Sequence, residues 1–350
     1  MFKKRENLLG LDIGSHSVKM VQLDARNMPP KLMNLGLIPL PREAFAEGRM
    51  IKSEVVAKSI QQLTAHLKIK ERFVAASISG YEVMIKKIEL PMMTEAELNN
   101  RMQAELGQYI PFNIEEVHVD YQVLDVVKDR PTQMEVMLVA AKKESINDHV
   151  NLLKLAGFQP LVVDVDFFAL SNGYEAVCGL SDENIAIMDI GANKTLVDIV
   201  QRGVPVFTRG ISIGGSQITE SIREALRISE EEAERIKLGE ASQKLSMAEL
   251  EEIFVSVIRD WVRELRRAFD FFYSNFPDSK IDKIFLSGGS CRIPGLDKLI
   301  QESLAAEVAI FNPLARLERD PKLFDPAYLD YVGPQMVISL GLALRKAKAK

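Results

Sequence analysis

The sequence predicts an α/β protein built from two related halves packed across a cleft. The segment from Leu9 through Asp12, Gly14 and Lys19 to Leu23 recurs in outline from Ile187 through Asp189 and Gly191 to Val200. Each copy is an apolar run, then Asp-Ile-Gly, a short polar stretch and a second apolar run. That formula describes a β-hairpin, with Gly and small polar residues supplying the turn. The separation of the copies is far too large for a solenoid repeat, so each opens one half of a duplicated domain. Strand and helix patterns alternate after each hairpin. No low-complexity linker divides the halves, so they are expected to pack tightly.

The elements follow in order. Apolar residues at Val55, Val56, Ile60 and Leu63 recur at a helical period and predict a helix over 53–67. Strands are expected over 73–78 and 83–90, the second closed by Pro91. Thr94 with Glu97 forms a capping-box pattern before a helix reaching about 108. A strand pair over 117–127 and 134–141 surrounds a turn at 128–131. A helix over 142–155 stops at Gly157, and 161–165 returns as a strand.

In the second half, 204–211 reads as a strand and 216–226 as a helix. Ser229 with Glu232, and Ser246 with Glu249, give two more capping boxes. The second opens a long helix running to about 272, in which Trp261, Phe269, Phe271 and Phe272 are expected in the core. A short buried strand at 284–286 precedes Gly288-Gly289-Ser290, and a helix with Pro294 near its first turn follows. The four prolines in 312–334 predict a loop, and 335–346 the last helix.

Composition narrows the function classes. The chain has 350 residues, room for two cores, with 47% apolar and 27% charged residues. A net charge of −5 gives no whole-chain footprint for nucleic acid. Cys178 and Cys291 stand far apart, which argues against a disulfide framework and for a reducing compartment. Lys3, Lys4 and Arg5 precede an apolar run, but Asp12, His16 and Lys19 interrupt it, so no secretory signal is expected. The most apolar helical stretch, 336–344, is too short to span a bilayer. His16, His66, His118 and His149 are scattered and are expected at surface or packing positions.

A nucleotide phosphate chain needs close backbone N–H donors, hydroxyls and a metal, and glycine lets the backbone approach. The first hairpin offers Gly14, Ser15 and Ser17, and the second Gly191, Asn193 and Thr195. Asp12 and Asp189 end their strands at the turn, where carboxylates suit Mg²⁺ held through its waters. Lys19 is placed to reach the phosphates. The strand before Gly288 and Gly289 suits close approach of an adenosine. Dinucleotide and P-loop fingerprints are absent from the sequence.

Taken in order, the two Asp-Ile-Gly hairpins, Gly210-Ile-Ser-Ile-Gly214-Gly215 and Leu286-Ser-Gly288-Gly289-Ser290 resemble the motifs of the actin/sugar-kinase/heat-shock-ATPase superfamily. The resemblance spans nearly the whole chain and implies an actin-like fold, two ribonuclease-H-like halves around ATP and Mg²⁺. It assigns nucleotide contacts to Gly14, Ser15, Ser17, Lys19, Gly191, Asn193, Lys194, Thr195, Gly214, Gly215, Gly288, Gly289 and Ser290. Glu234 and Lys237 match the family's ribose- and adenine-contacting pair, although their spacing also fits a surface ion pair. Gly341 resembles the glycine at which the connecting helices pack.

The segment 83–165 is similar to the extra subdomain of FtsA and of the PilM family of type IV pilus proteins. The opening hairpin and the run from Gln108 through Tyr109, Ile110, Pro111 and Phe112 to Tyr121 are similar to PilM in particular. The first half is then 1–82 with 166–184, the second 185–334, and 335–350 the connecting helix and basic tail. Resemblance to PilM implies a cytoplasmic ATP-binding scaffold at the inner membrane. It would take the N-terminal tail of the membrane protein PilN, act with the pilus motor ATPases and self-associate into a ring, reaching the membrane only through partners. Tyr109, Ile110 and Phe112 are candidates for the partner contact. A sugar-type kinase or an FtsA-like division protein is the alternative. Asn193 stands where active relatives have a Gly-Gly-Thr type sequence, and the sequence offers no evident base, so at most a slow ATPase is expected.

Overall fold

The computed structural model describes residues 8–26, 29–46, 48–79, 83–126, 130–240 and 247–346. Strands β1 (Leu9–Ile13) and β2 (Ser17–Asp24) form the first hairpin, paired so that Asp12 lies opposite Lys19. The Gly14 N–H closes it by donating to the Ser17 carbonyl at 3.1 Å. Strand β3 (Lys31–Pro39) continues the meander, and a two-residue ribbon of β4 (Phe45–Ala46) and β5 (Arg49–Met50) leads to α1 (Ser53–His66). Helix α1 buries Val56, Ala57, Ile60 and Leu63, the stripe its periodicity foretold. Strand β6 (Phe73–Ile78) then lies parallel to β1.

Residues 78–155 form a compact unit of their own. It holds β7 (Val83–Pro91), α2 (Glu95–Tyr109), β8 (Val117–Val126), β9 (Gln133–Lys142) and α3 (Lys143–Leu155). The antiparallel sheet runs β7-β9-β8. Both bonds of the Thr94–Glu97 capping box are made at the start of α2. Ile88, Leu98, Met102, Val136 and Leu138 centre its core.

Strand β10 (Gln159–Val165), expected in this insert, instead lies beside β6 at the edge of the first sheet. Its apolar run reads the same in either sheet, because periodicity indicates a strand but not its partner. Helix α4 (Asp166–Cys178) follows.

The second half repeats the plan. Strands β11 (Asn184–Ile190), β12 (Thr195–Gln201) and β13 (Val204–Ile211) form a meander, followed by α5 (Ser216–Leu226), α6 (Glu230–Lys237) and α7 (Met247–Asn275). Strand β14 (Lys283–Ser287), a 3₁₀ turn at Gly289–Arg292, α8 (Leu296–Leu304) and β15 (Glu307–Ile310) complete it. The orders β3-β2-β1-β6-β10 and β13-β12-β11-β14-β15 match strand for strand. Trp261, Leu265, Phe269 and Phe272 of α7 enter the second core, whereas Phe271, expected with them, is 55% exposed. It falls on the outer side of the stripe.

Within the expected loop over 312–334 lies α9 (Pro326–Val332). Asp325 accepts from the Ala327 N–H at 3.0 Å, and Pro326 occupies the first turn, where its missing N–H costs nothing. Helix α10 (Val337–Ala343) is shorter than expected and packs on α4 and β1. Space there is minimal: a Cβ on Gly341 would overlap the Ala169 carbonyl, and one on Gly10 the Ser339 carbonyl.

Lys3, Lys4, Arg5, the turn residues 128–129, the Ser246 cap and the tail 347–350 lie outside the described residues. Among the described residues, no helix is long and apolar enough to cross a membrane.

Candidate functional site

The duplicated hairpins bring their turns together. Asn193 Nδ2 donates to Ser15 Oγ at 2.9 Å, joining two loops 178 residues apart. Behind them stand the carboxylates of Asp12, Asp166 and Asp189. Asp12 is buried and paired with Lys19 Nζ at 3.0 Å. Burial alone would lower the Lys19 pKa, but Asp12, reinforced by Asp189 and Asp166, holds it above the usual lysine value. Asp166, at the start of α4, accepts from Lys194 Nζ at 2.7 Å. Asp189 accepts from Ser287 Oγ at 2.9 Å. Burial pushes the Asp189 carboxyl up to about 6, with Asp12 adding to the rise and Lys19 opposing it.

Two glycine-bearing segments lock onto the second hairpin. The Gly191 carbonyl receives the Gly215 N–H at 3.0 Å and the Ser290 hydroxyl at 2.9 Å. The Ser216 N–H donates to the Ala192 carbonyl at 2.9 Å. Gly214 must be glycine on steric grounds, because a Cβ would overlap the Ala192 carbonyl. Gly215 precedes the first turn of α5. There the Gly215, Ser216 and Gln217 N–H groups donate to the Gly191, Ala192 and Gly214 carbonyls, so what this end offers an anion is mainly the helix dipole.

Gly288 has φ +83°, and a Cβ there would overlap the Ile190 carbonyl. Gly289 differs. A Cβ there would press on the end of the Gln335 side chain, Oε1 at 3.3 Å, rather than on main chain.

Glu234 and Lys237 do not form the surface pair their spacing permits. Lys237 is only 3% exposed, and its Nζ donates to Glu234 Oε2 at 2.6 Å and Thr219 Oγ1 at 3.1 Å. Burial holds the Lys237 pKa below the usual value against the pull of Glu234. The Glu234 carboxyl is raised by burial, but Lys237 and Thr219 bring it below its usual range.

The structure thus brings Asp12, Gly14, Ser15, Ser17, Lys19, Asp189, Gly191, Asn193, Gly214, Gly215, Glu234, Lys237 and the Gly288–Ser290 turn into one neighbourhood around the two hairpin turns. Some assignments change with burial. Thr195 is fully buried and its hydroxyl donates to the Ile213 carbonyl at 3.0 Å, so it braces the Gly214 turn from behind. Ser290, likewise buried, spends its hydroxyl on Gly191. Lys194 is committed to Asp166.

In the separate 78–155 unit, Ile110 is a core residue, with Tyr109 and Phe112 partly buried against it. Apolar type alone had not distinguished core from contact surface. Asp166 was missed because its place in the cleft depends on β10 joining the first sheet. Its only sequence signal is an acidic residue at a strand-to-helix junction.

Hard carboxylate oxygens suit Mg²⁺, and a cation would favour the charged form of Asp189 that burial, with a smaller contribution from Asp12, disfavours. Among the described residues, no group of three or more His, Cys, Asp or Glu can cage a metal. An ion at Asp12 and Asp189 would therefore keep water or phosphate ligands.

Known proteins share this architecture. A structure described as the PilM-PilN type IV pilus biogenesis complex superposes with TM-score 0.85 at 28% identity, covering 99% of this chain and 100% of that one. The actin-like protein MreB5 of Spiroplasma citri, bound to ADP, matches at TM-score 0.54 and 12% identity, covering 97% and 95%. The cell division protein FtsA of Bacillus subtilis is 23% identical over 364 residues, 91% of this chain and 81% of FtsA. The fold is actin-like. A family model described as type IV pilus assembly protein PilM matches residues 10–347. Carrying that match from β1 to beyond α10, on the fold of the PilM structure, the chain belongs to the PilM family of type IV pilus assembly proteins.

Proposed function

We propose that this chain is an ATP-binding scaffold of the type IV pilus inner-membrane platform, which binds the N-terminal tail of PilN and couples it to the assembly motors. The paired hairpins, bridged by Asn193 and Ser15 and backed by the Gly214–Gly215 turn, carry the nucleotide reading. In it, the Gly14 and Gly191 turns and the N-terminus of α5 face the phosphates. Gly289, without a side chain, lets the nucleoside approach the backbone beside Glu234 and Lys237. Asp12 and Asp189 would hold Mg²⁺ through water, and the ion would neutralise phosphate charge.

Turnover is slow in this reading. Asp12 and Asp166 each face a lysine and are held as ion pairs, a poor arrangement for accepting a proton from water. Nucleotide then acts by favouring one arrangement of the halves, and the size of that bias equals its difference in affinity for the two. The PilN role is supported by the extent of the match to the PilM-PilN structure.

Gly289→Val tests the nucleotide site, because the added atoms meet the movable end of the Gln335 side chain rather than main chain. Calorimetry should show ATP affinity reduced at least tenfold, with the variant still unfolding cooperatively. Unaltered affinity would remove Gly289 from the site.

A further inference from the structure

Arg42 joins the two halves at the rim of the cleft. It opens the 3₁₀ turn Arg42–Ala44 between β3 and β4. The Leu40 N–H donates to the His16 carbonyl at 2.8 Å, which seats this segment on the turn of the first hairpin. From there the guanidinium reaches into the second half. Its Nη2 lies 3.2 Å from Glu220 on α5, and its Nη1 lies 3.2 Å from Glu230 on α6.

Arg223 holds the Glu220 carboxylate from the other side, its Nε donating at 3.0 Å, so one acceptor is already oriented. Helices α5 and α6 are also the elements that present Gly215, Glu234 and Lys237. Arg42 therefore ties the first half to the part of the second that surrounds the candidate nucleoside site. His16, Glu234 and Lys237 also face one another electrostatically at this lip.

We propose that Arg42 is a clasp across the mouth of the cleft, holding the halves closed and setting how fast a bound nucleotide escapes. It touches none of the groups assigned to the nucleotide, so its effect is on opening rather than on contact. The guanidinium is 61% exposed. Exposed ion pairs are weak and screened by salt, which suits a gate that opens and recloses. The proposal rests on the cleft being a nucleotide site.

The experiment is a stopped-flow chase of a fluorescent ATP analogue from the full chain and from Arg42→Gln. Losing two exposed pairs should speed release about 3–10-fold at low salt. Added salt should speed release from the parent chain and leave the variant nearly unchanged. Equal release rates with equal salt dependence would overturn the clasp. If the parent chain binds no analogue, the nucleotide reading fails, and hydrogen exchange on the unliganded protein decides the clasp separately. Amides of 14–17 and 191–194 should then exchange several-fold faster in Arg42→Gln. Identical exchange would overturn it.

Discussion

Asp198 on β12 is fully buried beneath α4. Its Oδ2 accepts from the Ser171 hydroxyl, while Oδ1 has no hydrogen-bond partner. Burial pushes this carboxyl up to about 7. The folded protein therefore holds a proton there that the unfolded chain releases near pH 4. Stability from this group is complete below the unfolded pKa and falls as pH rises to about 7, by up to roughly 1.4 kcal/mol per pH unit. Asp198→Asn keeps an acceptor for Ser171 and removes the titration. Its urea midpoint should exceed that of the parent chain at pH 8, and the two should converge near pH 4. A constant difference across that range would contradict the assignment.

The cleft was partly legible at this same scale. Asp-Ile-Gly, written twice, placed the turns because glycine and short polar residues leave few alternatives. Burial was not legible. Thr195, Ser290 and Lys237 are residue types that face water in most settings, and only the assembled sheets and helices show that their polar atoms are spent internally.

Among the elements, the crossing of α4, α10 and β1 is the most constrained. Gly10, Gly173 and Gly341 bring backbone against backbone, and a Cβ on Gly173 would overlap the Val337 carbonyl. Gly341→Ala gains about 1 kcal/mol of helix propensity. Overpacking opposes it with about 1–3 kcal/mol, and here the obstacle is main chain that cannot rotate aside. Net destabilisation, seen as a lower urea midpoint with an unchanged m-value, is the expected outcome. Gly107, where a Cβ would meet nothing, is the control and should tolerate alanine.

Capping boxes and apolar periods placed most elements within a residue or two. The failures share a cause. Helix α9 was hidden by its prolines, although Asp325-Pro326 is itself a helix-start signal. Strand β10 was assigned to the wrong sheet because local pattern carries no information about distant pairing.

For the molecule as a whole, the matched strand orders show the duplication that the hairpin repeat announced. The 78–155 unit lies outside this plan, which makes it the element to test for partner binding. Replacing 78–155 by a short linker should abolish capture of a PilN N-terminal peptide while ATP binding and cooperative unfolding persist. Undiminished capture would place PilN on the actin-like core. Steady-state ATP turnover should fall below about 1 per second, the low end of ordinary enzymes. A faster rate would mean that the lysine pairings leave a carboxylate able to act.

The glycine crossing also determines how the cleft can move. The apolar cluster around α4 and α10 includes Ala75 of the first sheet and Ile185 and Ile187 of the second, so it is where the halves are fastened. Main chain pressed on main chain leaves little slack there for the halves to slide. Arg42 and its glutamates join the halves at a second place, through exposed side chains. Of the two contacts, the glycine crossing is the fixed one and Arg42 the releasable one. Motion between the halves is therefore expected to begin where Arg42 lets go and to leave Gly10, Gly173 and Gly341 in place.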